Sequence, residues 1–407
     1  MSLAARVHRS PLVVLFLAVF IDLMGFGIVI PLLPIYAEHQ MRATPFAAGA
    51  LIAVYSLMQL VFAPVWGRIS DRVGRRPVLL LSLAGSAVSY LLLAAAGSLG
   101  VLFAARVLAG VAGATVSVAQ AYVADVTSPT ERARGMGLIG AALGLGMVTG
   151  PALGGGLSLL GSRVPECFAA GLCLVNVLIA AYRLPESLPG ALRRPAAFRH
   201  PLSPTSLRQA LASPGATRPL GVFFLVTLAF AVLYVTLPLA AVHVYHYGNA
   251  QAAALWSYMG FVGVVVQGWL VGRLARRLPE RSLVIGGTVA LGVGFLWIPF
   301  AGAGTRLLAA LALVVAGQGL ASPSLLSLIS KTVDASVQGE TLGVSQSLSA
   351  GARVLGPAGG GFIFQHFDAA TAYVAAAACA AGALGLTLTA AGGGQPQAEI
   401  VRVRRSG

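Results

Sequence analysis

Apolar runs of about 20 residues recur along this chain at nearly even spacing, and short polar connections rich in arginine, glycine and proline separate them. At 1.5 Å per residue each run can cross a hydrocarbon core of roughly 30 Å as one helix. Twelve spans are predicted, near 11–36, 45–66, 77–96, 99–124, 133–160, 164–184, 218–243, 251–272, 282–302, 305–330, 339–365 and 369–391. The first follows Arg6 and Arg9, as a secretory signal would. It runs on from Pro11 to Tyr36 through Asp22, Pro31 and Pro34, too long and too polar in the middle for removal, and is read as a span. One connection is long. Residues 188–217 are rich in Pro and Arg and read as a linker between an N-terminal bundle, 1–187, and a C-terminal bundle, 218–407, with a short surface helix around Leu207 to Leu211.

The two halves repeat. Gly67-Arg-Ile-Ser-Asp-Arg recurs as Gly272-Arg-Leu-Ala-Arg-Arg, an offset of 205 (272 − 67), and Gly150-Pro-Ala-Leu-Gly-Gly recurs as Gly356-Pro-Ala-Gly-Gly-Gly, an offset of 206 (356 − 150). A duplication of this kind predicts an all-α membrane protein of twelve helices in two pseudo-symmetric six-helix bundles, built for alternating access.

Composition narrows the class. With 57% hydrophobic and 10% charged residues and a mean hydropathy of +0.85, the chain is excluded from ordinary soluble proteins, where charge is near a quarter. A net charge of +15 raises the question of nucleic acid, but its distribution answers it: 22 arginines and lysines fall on one side of the predicted spans and 3 on the other. That is the positive-inside pattern, which places both termini in the cytoplasm and requires an even number of spans. Cys167, Cys173 and Cys379 lie in apolar runs with no metal-ligand spacing and imply no disulfide framework.

Between the second and third spans lies Gly67-Arg-Ile-Ser-Asp-Arg-Val-Gly-Arg-Arg-Pro-Val-Leu. Gly67 and Gly74 would permit close backbone approach and tight turning, and Asp71 is the sole acid among Arg68, Arg72, Arg75 and Arg76. One carboxylate among several guanidiniums can act as a latch. In the second half Asp71 aligns with Arg276, Gly74 with Pro279 and Arg75 with Glu280, so the latch belongs to the first half alone.

Asp22 is the acid in the middle of a span. A charge there costs about 2.5 to 3.5 kcal/mol even on an insertion scale, and is tolerated in a cavity, paired or protonated. Asp22 is therefore the candidate for taking up and releasing a proton, and Gly25, Gly27, Pro31 and Pro34 predict a bend near it. Arg106 and Arg353 are the other charges inside spans, and the three lie at a similar depth, about 16 to 21 Å from the arginine-rich side. Asp22 can pair with one arginine while the other faces a cavity as a hook for an anion or carbonyl. Tyr55, Gln59, Gln120, Tyr234, Trp256, Tyr258, Gln267, Gln318 and Gln346 are candidates to line that cavity, whose mix of apolar, amide and aromatic groups suits amphipathic organic molecules. His243 and His246 have ligand-like spacing but sit at a span end, where an interfacial role is expected and not a metal site. In the fifth span Gly146, Gly150, Pro151, Gly154 and Gly155 predict a close-packed, kinkable helix that slides at the interface of the halves.

These motifs carry a resemblance. The loop stretch is similar to the G-x-x-x-D-R-x-G-R-R/K signature of the major facilitator superfamily, and Gly146 to Gly155 resembles the fifth-span signature of its antiporters. The surroundings from Ala53, Arg106, Ala121 and Glu131 resemble the twelve-span drug/proton antiporters, nearest to bacterial tetracycline efflux proteins, densely over 20–160 and thinly beyond. The resemblance implies that Asp71, with Asp125, Arg72, Arg75, Arg132 and Arg134, steadies the outward-open form, and that Arg106 serves proton coupling. Tetracycline carriers also use acids in the third and ninth spans, and Val78 to Ala96 and Ser282 to Gly302 contain none.

The expected function is proton-coupled export of small amphipathic compounds or drugs from the cytoplasm by alternating access. A metabolite or sugar transporter of the same fold is the alternative. No constellation of a membrane enzyme stands near a span end. The expected partners are a small-molecule substrate, protons and the lipid bilayer of a bacterial inner membrane, with no nucleic acid, no metal, no cofactor beyond the coupling proton, and a monomeric state.

Overall fold

The computed structural model describes residues 3–128, 131–188, 214–332 and 338–389, and among these the regular structure is entirely helical. The N-terminal half comprises α1 (Leu3–Val29), α2 (Leu33–Met41), α3 (Pro45–Val73), α4 (Arg75–Ala94), α5 (Leu99–Ala112), α6 (Thr115–Val126), α7 (Arg132–Ser158) and α8 (Val164–Arg183). The C-terminal half comprises α9 (Pro214–Ala231), α10 (Leu233–His243), α11 (Asn249–Val265), which continues through a π-helical turn (Val266–Leu270) into α12 (Val271–Ala275), then α13 (Glu280–Ala301), α14 (Thr305–Lys331), α15 (Gln338–His366) and α16 (Ala369–Thr389). The predicted surface helix at 207–211, with 189–213 of the linker, lies outside the described residues.

Among the described residues, eleven spans are long and apolar enough to cross a bilayer. The remaining predicted span is α15, whose 29 residues give the length but include Ser345, Gln346, Ser347, Ser349 and Arg353. Several spans are built from two helices, and each break follows from local chemistry. The first span turns at Ile30–Leu32, ahead of Pro34 at the start of α2. The bend predicted beside Asp22 is thus displaced toward the far end: α1 stays helical through Gly25 and Gly27, whose missing side chains admit the Tyr90 ring and Pro151.

The fourth span breaks at Gly113–Ala114, and the freed carbonyls are satisfied by neighbouring side chains. Trp66 Nε1 donates to Val111, Ser82 Oγ to Ala112 and Gln59 Nε2 to Gly113 at 3.2 Å. A break in hydrocarbon is stable only when its backbone groups find partners in this way.

The halves meet on the side poor in arginine. A Cβ at Gly49 would run into the Pro357 carbonyl, and one at Gly361 into that of Pro45, so α3 and α15 touch backbone to backbone. Phe46 packs edge-on to Phe362 at 6.3 Å, and the Phe46 amide donates to Gln365 Oε1 at 3.2 Å. Deeper in, Ala48 and Ile52 form one apolar cluster with Val235 and Leu239. α7 meets α11 through Gly155 against Ala250 and Ala253, then Gly260 against Met147 and Val148, and last Gly144 against Val264. Beyond Val266 the eighth span packs on α13 and α14 of its own half. Among the described residues, these close approaches between the halves lie from the arginine-poor rim to the middle.

Candidate functional site

Asp22 lies on α1 facing α4 and α6. Ser86 Oγ donates to its Oδ1 at 3.0 Å, and the Thr115 hydroxyl, placed at the start of α6 by the break in the fourth span, stands beside it. Among the described residues no ion pair reaches Asp22, so the pairing with an arginine allowed by depth is not formed. Two hydroxyls serve it in place of a cation.

Tyr55 on α3 is the hub of the cluster, with Asp22, Arg106, Arg353 and Tyr234 all close enough to act on its hydroxyl electrostatically. Arg106 is 1% exposed and lays its guanidinium 4.4 Å from the Tyr55 ring centroid. Its Nε donates to the Leu51 carbonyl at 3.4 Å, and its Nη2 has no protein partner among the described residues. Snorkelling to a headgroup is excluded by that burial. A guanidinium over a ring face in a desolvated site is held by the ring's quadrupole, while the free N–H remains a donor to whatever occupies the centre.

Arg353, half-buried on α15, donates to Ser349 Oγ at 2.8 Å and reaches toward both Tyr55 and Tyr234. It has no carboxylate partner among the described residues. Tyr234 stacks on Trp256 at 5.3 Å with the planes 12° apart, and the buried Trp256 Nε1 lacks an acceptor. Phe26 adds a ring 5.4 Å from Tyr55, and Gln59 donates to the Tyr55 hydroxyl at 3.4 Å. The structure thus brings Asp22, Tyr55, Gln59, Arg106, Tyr234, Trp256 and Arg353 together from both halves.

The other candidate cavity residues stand apart. Gln318 donates to Ser322 at 2.9 Å on its own helix and keeps a buried Oε1 unsatisfied. Gln267 sits in the π-helical turn beside Gly319. Gln120, Gln267 and Gln346 are exposed and Tyr258 half-buried, and none of the four makes a hydrogen bond to the cluster. The hydroxyls of Ser86 and Thr115 were not among the predicted residues. Ser82, Ser86 and Ser89, at helical spacing along an otherwise apolar third span, were the signal for the first of them.

At the arginine-rich face the loop motif is rearranged from its expected form. Gly74 alone separates α3 from α4, and its φ of 111° is a conformation that glycine adopts without strain. Arg75, not Asp71, is the buried centre. Its Nη1 meets Asp71 at 2.6 Å and Ser70 Oγ at 2.6 Å, and its Nε meets Asp125 at 3.0 Å. Glu186, after α8, accepts from the backbone amides of Arg75 and Arg76 at 2.8 and 3.2 Å, capping α4. A Cβ on Gly74 would collide with that carboxylate.

The latch therefore ties α3, α6 and the end of α8 within one half. Arg72 and Arg134 are exposed and form no ion pair among the described residues, and Arg132 donates only to the Ala124 carbonyl at 3.2 Å. Gly67 lies inside α3 with open space where its side chain would be, so close approach is not its role here.

The glycines of α7 also face differently from the prediction. Gly146, Gly150 and Gly154 press against Leu23 to Ile28 of α1 in the same half, where an added methyl at Gly150 would lie 2.5 Å from the Met24 carbonyl oxygen. Pro151 packs on Gly27, and Gly155 alone of the five looks across to the other half. The small-residue face fixes the backbone that follows Asp22 directly to α7.

Two sets of membrane-spanning helices that bring charged groups together at mid-depth have the architecture of a multi-pass membrane transporter. The family model described as Major Facilitator Superfamily matches residues 15–357, and this chain belongs to that superfamily of multi-pass membrane transporters. Among curated relatives, the class G tetracycline resistance protein of Vibrio anguillarum is 36% identical over 86% of this chain and 89% of its own length. The class C tetracycline resistance protein of Escherichia coli is 33% identical over 86% and 88%. The crystal structure of the human organic anion transporter MFSD10 aligns with a TM-score of 0.70 at 28% identity, covering 93% of this chain and 99% of that one. The nucleoside transporter NupG aligns with a TM-score of 0.76 at 14% identity, a likeness of fold alone.

Proposed function

We propose that this protein exports small amphipathic organic compounds from the cytoplasm in exchange for protons. The carrying observation is the cluster around Tyr55: the acid at the centre of the first span, held by two hydroxyls with no ion pair among the described residues, beside two arginines and an aromatic platform. The arginine-rich face is the cytoplasmic one on this reading, which makes it the side from which substrate enters. Substrate enters between the halves, its apolar body against Tyr234 and Trp256 and any carbonyl or anionic group against Arg353. Protonation of Asp22 from the outer side and occupation by substrate then bias the two states of a rocking pair in opposite directions.

The names of the relatives support export of drug-like and organic-anion cargo without fixing either for this chain. Asp71, Asp125 and Arg75 steady the N-terminal half at its cytoplasmic end during the cycle. In everted vesicles, Asp22→Asn is expected to insert normally and to lose proton-driven export while still binding substrate. Undiminished, protonophore-sensitive export by that variant would remove Asp22 from the mechanism.

A further inference from the structure

The arginine-poor rim, where the halves close, carries one ionic contact across the seam. His243 Nε2, at the end of α10, lies 2.8 Å from Glu38 Oε2 on α2. The pair joins the two halves across the seam, and it carries opposite charges only when the imidazole is protonated.

We infer that Glu38 and His243 are positioning residues that hold the outer seam shut, and that a proton on His243 sets the strength of the hold. The inference rests on the alternating-access reading above. Glu38 is the carboxylate within ion-pair distance of His243 among the described residues. The other ionisable groups at this end of the described residues are Tyr36, His39 and Arg42 around Glu38, Arg163 and Glu166 at the start of α8, Tyr245, His246 and Tyr247 after His243, Arg306 at the start of α14, and His366 and Asp368 at the end of α15. None of these forms an ion pair with His243: His366 Nδ1 meets the Phe362 carbonyl at 2.9 Å, and Asp368 caps α16.

Beside the pair, the Phe46–Phe362 contact and the Gly49–Pro357 approach supply the closure that does not depend on charge. The sign is direct. With His243 protonated, the ion pair favours the closed rim; as pH rises and the imidazole becomes neutral, a hydrogen bond can remain but the charge attraction is lost, and opening becomes easier. Acidity on the outer side thus lowers the fraction of time for which the cavity presents outward.

The test is a distance measurement in the full-length protein, with the three native cysteines replaced by serine and spin labels at Arg42→Cys and Phe367→Cys on the outer rim. A second labelled pair, Val73→Cys with Leu278→Cys, reports the opposite face. Between about pH 5 and about pH 8, the range in which an imidazole changes charge, the ratio of closed to open rim is expected to fall by up to about fivefold, the range of an exposed ion pair. His243→Gln is expected to flatten that profile, and the exchange Glu38→His with His243→Glu to restore it.

A His243→Gln protein with an unchanged pH profile would overturn the proposal while leaving the transport reading intact, provided that the two label pairs still move in opposite senses with substrate. If neither pair responds to pH or substrate, the alternating-access reading fails and the proposal falls with it.

Discussion

Arg75 shows how much one side chain can organise. Eight per cent exposed, it neutralises Asp71 and Asp125, which come from different helices, and its own amide is held by Glu186. Replacing it with alanine strips the partner from two carboxylates at once. Arg75→Ala is therefore expected to destabilise the N-terminal half by about 1–3 kcal/mol, read as a lower thermal midpoint in detergent. Arg72→Ala, exposed and outside the network, should leave the midpoint unchanged.

Asp368 gives the pH-dependent counterpart. Its Oδ1 accepts from the Thr371 amide at 2.6 Å at the start of α16, and the Thr371 backbone and hydroxyl hold its carboxyl below the ordinary carboxylate range. A depressed folded-state value means that the cap contributes above the unfolded carboxylate range and is lost as pH falls through the folded one. Asp368→Ala should cost about 1 kcal/mol near neutrality, with the difference from the parent vanishing in acid. The motif acids and arginines were legible as a latch from their crowding, but the choice of Arg75 as centre was not. It depends on Asp125, 50 residues away, for the guanidinium and on Glu186, 111 residues away, for the amide, and no local pattern announces either contact.

Among the elements, α7 and α1 form the tightest pair in the N-terminal half because three glycines at helical spacing remove every atom between the backbones. Gly150→Ala is expected to cost about 1–3 kcal/mol by overpacking, whereas Gly156→Ala, with no atom within 4 Å of its added methyl, should gain up to about 1 kcal/mol from helix propensity. Unfolding midpoints of the two variants should shift in opposite directions.

The helices themselves were readable from apolar run length, since that length is set by the bilayer. Their breaks were less so. Pro34 and Gly113 mark two of them, but a proline or glycine inside a span is common. The break at Gly113–Ala114 holds because Trp66, Ser82 and Gln59 happen to face the loosened carbonyls. The glycine face of α7 was visible as a pattern. Its partner was not, because small residues say that something comes close and not which helix does.

At the scale of the whole molecule, the repeated motifs pointed to the two-bundle architecture. What repetition could not foretell is the state captured, which depends on where the halves touch. Among the described residues their close approaches lie from the arginine-poor rim to mid-depth. The label pair at Val73 and Leu278 is accordingly expected to give a long distance without ligand, and a shorter one when an outward-facing state is stabilised by locking the bundles together at the arginine-rich side.

Because the backbone of α1 just past Asp22 rests on α7, and α7 in turn rests on α11 at Gly155, the two helices behave as a laminated beam running from the Asp22 carboxylate to the seam between the halves. A beam without side-chain padding has little slack to absorb a shove. A displacement of the first span at Asp22 is delivered almost undamped to that seam, and a bulkier residue anywhere along the lamination would cushion the stroke before it arrived.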